Sequence, residues 1–197
     1  MIKPKYLFLL LSLLLFLPVS LKADKKGDLP QATVDSRGNV VFTLIVEGLP
    51  LNASEAVDAA ENYLATEYKT SRYSDIQRPS DKNFVLGKGN LESFYTDSGL
   101  AKSKIYSADY FLRFDGKDGM TRIQVVFNRL KMLQLSDAGN RIETEVRMSE
   151  VQPFAESDNG RSYKKAHVRL QEAVSEIFES ASNAMKSANP TPVADEW

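Results

Sequence analysis

The chain has 197 residues, with 25 Lys and Arg, 26 Asp and Glu, one His and no Cys. The absence of cysteine excludes disulfides, thiolate metal sites, cysteine proteases and lipid attachment at an N-terminal Cys. A single His excludes metal sites that need two His from one chain. A formal net charge of −1 is not the balance of a nucleic-acid-binding protein, and 43% hydrophobic residues suit a folded globular domain.

The first 23 residues are predicted to form a secretory signal peptide. Lys3 and Lys5 precede a 12-residue apolar run at 6–17, whereas a membrane-spanning helix needs about 20 residues. Cleavage after Ala23 would remove three lysines and no acid, which leaves 22 basic and 26 acidic residues and a net charge of −4. We therefore expect a periplasmic or extracellular protein without a membrane span after cleavage. An uncleaved anchor is the alternative.

The next part of the chain predicts a leader, a strand and a helix. Residues 24–37 are polar and aperiodic, which predicts a flexible leader. Residues 39–47 are β-branched and aromatic, as in a strand. Asn52 followed by Glu55 is a capping-box arrangement, and apolar residues then recur at helical spacing as far as Tyr68.

A hairpin is the strongest signal in the middle of the chain. Residues 84–88 predict a short strand and residues 90–103 a loop. Residues 104–115 and 120–135 then alternate on either side of a Gly-Lys-Asp-Gly turn. One face of this hairpin is apolar and the other mixed, and either could be the face that helices cover.

The C-terminal part predicts one more strand and the clearest helix. Residues 141–148 alternate and favour an edge strand, and apolar residues from Tyr163 to Met185 form a helical stripe. Residues 188–197 contain two prolines and predict a disordered tail. The order β-α-β-β-β-β-α predicts one α+β domain over residues 38–187, an antiparallel sheet with two helices packed on one face.

Three segments together resemble a known family. They are residues 40–65 with Tyr63-Leu64, residues 84–89 with Gly87-Lys88-Gly89, and residues 110–127, in which Arg122 follows an Asp-Gly turn. They resemble a family of exported bacterial domains of unknown function (DUF) with a TATA-box-binding-protein-like (TBP-like) fold. Tyr63 stands where that family usually has Trp, and the resemblance covers about half of the chain. It implies the fold but carries no activity or catalytic residue.

No motif predicts a catalytic, metal or cofactor site. The glycine motif at 87–89 lacks the rest of a phosphate-binding loop, and the Asp115–Gly119 turn lacks the acids of a calcium loop. His167 lies at the margin of the last helix's apolar stripe, which favours a packing role over a catalytic one. Hydrolysis by a pair of carboxylates is left as an alternative, because the sequence spacing neither identifies nor excludes a pair among the 26 acids.

Two groups of residues are candidates for binding. Lys164 and Lys165 lie at a basic start of the last helix, and Arg113, Arg122 and Gln124 lie on the mixed face of the hairpin. The partner would be an envelope protein or a small ligand; a mature charge of −4 argues against nucleic acid.

The first functional hypothesis is an exported, non-enzymatic binding or interaction module in the bacterial cell envelope. Whether the protein is an enzyme stays open, although the missing catalytic motifs favour the non-enzymatic reading. The alternatives are an envelope hydrolase that uses carboxylates and a structural component that assembles through sheet edges such as residues 141–148.

Overall fold

The structure, a computed structural model, describes residues 29–67, 76–80, 82–99, 102–136, 138–151, 153–154 and 160–190. The predicted signal peptide and residues 191–197 of the predicted tail lie outside these ranges. The elements are β1 (Ala32–Val34), β2 (Val40–Glu47), α1 (Ala53–Glu67), β3 (Phe84–Ser98), β4 (Lys102–Lys117), β5 (Met120–Ser136), β6 (Arg141–Arg147), a 3-10 turn (Met148–Glu150) and α2 (Gly160–Ser187).

The six strands form one antiparallel sheet. Five of them follow the order β1-β2-β5-β4-β3, and β6 also pairs with β5. β5 has β4 along one side, while its other side pairs with β2 over residues 120–127 and with β6 over residues 129–135. Both helices pack on the same face of this sheet. The predicted α+β class and the two helices on one face are therefore confirmed.

The start of the domain corrects one prediction. Residues 32–34 were expected in a flexible leader, but they form β1 and pair with the first residues of β2. A tight turn joins the two strands: the Asp35 carboxylate accepts hydrogen bonds of 2.8 Å from the Asn39 side chain, the Asn39 backbone and the Arg37 backbone. The bonds from Asn39 lower the pKa of Asp35. A three-residue strand is too short to show an alternating pattern in sequence.

The prediction of a loop over residues 90–103 was also wrong. β3 runs on to Ser98 and β4 begins at Lys102. The strand is bulged, because its register with β4 shifts between Leu91 and Tyr95 and Ser93 has a φ of 51°. The Ser93 backbone N–H donates to the Ser107 hydroxyl at 3.0 Å. This half of the strand could not be predicted from the sequence, because its residues are largely polar and the bulge interrupts their alternation.

The core lies between the helices and the covered face of the sheet. Alternate residues of β4 point into it and are all buried, as a strand with a two-residue period requires. The apolar stripes of α1 and α2 pack against these strand residues. The buried core side chains include Phe42, Leu64, Tyr106, Leu112, Phe114, Ile123, Phe127, Leu170, Val174, Phe178 and Met185.

The N-terminus of α1 is held as the sequence predicted. The Asn52 side chain accepts from the Glu55 N–H at 3.0 Å, and the Glu55 carboxylate accepts from the Asn52 N–H at 2.8 Å. Asp118, in the hairpin turn, accepts from the Ala53 N–H at 2.9 Å. The hairpin and the helix therefore fix each other.

Glycines let α1 lie close to the sheet. A Cβ at Gly87 would come within 3.0 Å of the Leu64 side chain, and one at Gly89 would overlap the Tyr110 ring. The glycine motif at 87–89 is thus explained by packing rather than by phosphate binding. A Cβ at Gly116 would overlap the backbone oxygen of Ala53.

We expect Gly116→Ala to destabilise the protein by about 2–4 kcal/mol, because the new methyl group meets backbone that cannot rotate away. Gly160→Ala is the matched control, since in the described part of the chain nothing outside its own helix lies within 4 Å of a Cβ there. Urea unfolding of both variants measures the difference. Equal midpoints for the two would show that α1 can move away from the sheet without cost.

Candidate binding surface

One face of the sheet is covered by neither helix in the described residues. We call this the open face; it consists of the strand side chains that point away from α1 and α2. The large apolar residues of this face are Val41, Ile45, Phe84, Leu86, Ile105, Phe111, Met120, Val126, Leu133 and Leu135. Ile45 and Phe111 are 55% and 39% exposed. Val41 is buried, and the others are half-buried. Apolar groups that stay exposed on an uncovered face are candidates for an interaction surface.

The strand register brings three predicted residues together on the open face. Arg113 lies opposite Gln124, which lies opposite Thr43 and donates to its hydroxyl at 3.3 Å. In the next row, Asp115 lies opposite Arg122. Arg113, Arg122 and Gln124 therefore occupy two adjacent rows of the same face.

Arg113 and Arg122, which we call the arginine pair, share one carboxylate. Arg113 holds Asp115 through Nη2 at 2.5 Å and through Nε at 3.0 and 3.1 Å. Arg122 reaches the other oxygen of Asp115 through Nε and Nη2, both at 3.2 Å. The Arg113 guanidinium also stacks 4.2 Å above the centre of the Phe84 ring. The cluster carries one net positive charge.

An apolar row runs beside the arginine pair. Val41 lies opposite Val126, which lies opposite Phe111. This row is two residues along the strands from Arg113 and Gln124, a separation of about 7 Å. The open face therefore presents the row of Arg113 beside the row of Phe111, and arginine and aromatic residues are the types enriched in protein interfaces.

Bulges shape a cleft at the far end of this row. The register of β4 with β5 shifts around Asp109, next to the bulge already described in β3. Burial would raise the pKa of Asp109, but hydrogen bonds from Lys131 and Asn90 outweigh it, and the pKa is lowered. The cleft has a volume of about 340 Å³ and is lined by Lys88, Gly89, Asp109, Tyr110, Phe111, Asn128, Arg129 and Glu145. Sequence reasoning missed it, because it depends on bulges that no local motif marks.

Lys164 and Lys165 lie elsewhere. Both are exposed in the first two turns of α2, on the side of the sheet opposite the open face. Farther along the helix, Arg169 pairs with Glu172 at 2.6 Å. The five predicted residues therefore form two separate surfaces rather than one site.

The groove between the two helices bears on the hydrolase alternative. It has a volume of about 370 Å³ and includes Glu55 and Asp58 among its lining residues. Arg78 bridges Asp58 and Glu61 at 2.6 and 2.7 Å, so these acids are committed to an ion pair. A general acid needs a raised pKa, whereas Asp35 and Asp109 both have a lowered one. Within the described residues, no group of three or more His, Asp or Glu could hold a metal ion.

Two solved structures are similar to this fold. One is a TBP-like protein from Parabacteroides distasonis, with a TM-score of 0.57 and 15% identity over 79% of this chain and 97% of that one. The other is a DUF4468 family protein from Bacteroides ovatus, with a TM-score of 0.50 and 14% identity over 80% and 92% of the two chains. No family model and no curated protein matches the chain in sequence. These likenesses define the fold as TBP-like.

Across the described ranges, no helix has the length and apolar character to cross a bilayer.

His167 packs at the edge of the core. Its ring stacks on Phe42 at 6.3 Å and meets Phe154 edge-on at 5.0 Å between centroids. Burial lowers its pKa below the ordinary 6.5, because the aromatic surroundings disfavour the charged ring.

This lowered pKa makes the stability of the protein depend on pH. The unfolded chain takes up a proton near pH 6.5 that the folded chain resists, so folding is favoured above pH 6.5 and loses stability as pH falls below it. We expect the free energy of unfolding to fall more steeply between pH 6.5 and 5 in the wild type than in His167→Gln. Urea unfolding across this range measures both slopes; identical slopes would contradict the prediction.

Proposed function

We propose that the protein is an exported, non-enzymatic binding module of the bacterial cell envelope and that the open face is its binding surface. One observation carries the proposal: the face that neither helix covers presents the exposed Ile45 and Phe111, among half-buried apolar side chains, beside an ordered arginine pair. Burying such a face against a partner would remove apolar surface from water without rearranging the fold.

The two other hypotheses have less support. The hydrolase would need acids poised for proton transfer, but Asp58 and Glu61 are both held in an ion pair with Arg78. Assembly through the edge of β6 would need an edge open to pairing. Four of the seven residues of β6 are charged, which is a common way for an edge strand to avoid pairing with another chain.

Export is supported by the basic residues and the apolar run of segment 1–23. We expect the exported form to begin at Asp24, which intact-mass measurement of the protein from the envelope fraction would show. Leu14→Arg should keep the full-length chain inside the cell, because a charge interrupts the apolar run. Full-length mass in the envelope fraction of the wild type would instead indicate the uncleaved anchor.

Affinity capture from native envelope extract tests the binding surface. Phe111→Ser should abolish capture of the specific partner, because the exposed ring is at the centre of the open face. The double variant Lys164→Glu, Lys165→Glu should still capture it, since both lysines lie on the opposite side of the sheet. Mass spectrometry compares the bound proteins. Loss of the partner in the lysine variant with retention in Phe111→Ser would move the binding surface to the start of α2.

A further inference from the structure

We infer that the arginine pair is the anchor for a carboxylate on an extended, acidic segment of a protein partner. This inference rests on the proposed function, because it assigns the chemistry of what the open face binds.

The stoichiometry of the cluster leaves room for a second carboxylate. Arg113 and Arg122 each use Nε and Nη2 on Asp115. A guanidinium has five N–H donors, and no acceptor within the described part of the chain takes a hydrogen bond from Nη1 of either arginine. A carboxylate from outside would find donors there and would balance the charge of the cluster at two to two.

The pair is also held in place before anything binds. Arg113 is fixed from one side by three hydrogen bonds to Asp115 and from another by the Phe84 ring. Asp115 is only 20% exposed, while the side chains of Arg113 and Arg122 are 38% and 50% exposed. The donors are therefore ordered and still reachable, so a ligand would not have to immobilise two long side chains.

The net charge of the open face also favours an acidic partner. It holds five of the ten arginines in the chain and three of its 15 lysines, against five acids. These residues are Arg113, Arg122, Arg129, Arg141, Arg147, Lys88, Lys117 and Lys131, with Glu47, Asp109, Asp115, Glu143 and Glu145. The face is thus positive by three charges in a chain whose net charge is −1. An acidic partner is electrostatically complementary to it.

The distribution of acids favours a polypeptide over nucleic acid. Asp109, Asp115 and Glu145 lie among the basic side chains, each next to one of them. A continuous line of phosphates would have to pass these carboxylates. Carboxylates spaced along a peptide can avoid them.

The flatness of the site favours a polypeptide over a small acid. Small ligands bind where most of their surface is enclosed, but both arginines lie on an open sheet. The apolar row of Val41, Val126 and Phe111 lies about 7 Å from Arg113. An extended segment that places an acidic side chain on the arginine pair would therefore place an apolar side chain two residues away on this row.

A random peptide library displayed on phage tests the inference. The wild-type protein lacking residues 1–23 is the target, and the double variant Arg113→Gln, Arg122→Gln is the counter-selection. Selected peptides should contain Asp or Glu two residues away from an aliphatic residue. Their affinity should fall at least about tenfold with the double variant, or when the peptide acid becomes its amide. Arg122→Gln alone serves if the double variant fails to fold.

Three further probes separate the outcomes. Lys164→Gln, Lys165→Gln removes the same charge from α2 and should leave the affinity unchanged. Sodium acetate and an oligothymidylate should bind more weakly than the selected peptides; stronger binding of either would overturn the inference.

Peptides that depend on Phe111 but not on the arginine pair would overturn the carboxylate anchor and leave the open face as the binding surface. Two results would overturn both the carboxylate anchor and the open face as the binding surface. One is peptides whose affinity is unchanged by Phe111→Ser and by the arginine variants, and the other is no selective enrichment of any peptide.

Discussion

Both helices lie on one side of the sheet, and the rest of the molecule depends on this one-sided packing. Because strand side chains alternate, β2, β4 and β5 divide their residues between the core and the open face. The covered half can be apolar throughout. The open half must remain compatible with water, which it does by placing Asp115 between two arginines and Asp109 between Asn90 and Lys131.

Close contact between α1 and the sheet is the second consequence of this packing. α1 presents Ala56 and Ala60 to the strands, and the strands present Gly87 and Gly116 where the helix comes nearest. Small residues on both surfaces let backbone approach backbone. Asp118 then ties the start of the helix to the hairpin turn. Segments far apart in sequence are thus fixed together without a disulfide.

Local patterns allowed much of this fold to be predicted. The capping box at Asn52, the Asp-Gly turn and the long apolar stripe of α2 each depend on neighbouring residues, and each appears in the structure. The residues Arg113, Arg122 and Gln124 could be placed on one face by alternation alone. What covers a face, however, is decided by tertiary contacts, and the short β1 and the bulged half of β3 show no regular period. The cleft at Asp109 escaped prediction for the same reason.

β5 changes its neighbour halfway along its length, and this determines which part of the sheet can unfold locally. Its first half lies between β4 and β2, and its second half between β4 and β6, with a bulge where the neighbour changes. β6 has seven residues and pairs with nothing on its outer side in the described part of the chain. The sheet beyond the bulge can therefore fray from that edge inward while the half that holds the arginine pair stays closed. Amide hydrogens of β6 would then exchange with solvent long before those of residues 40–42 of β2, which lie between β1 and β5, and the two ends of a single sheet would differ in local stability.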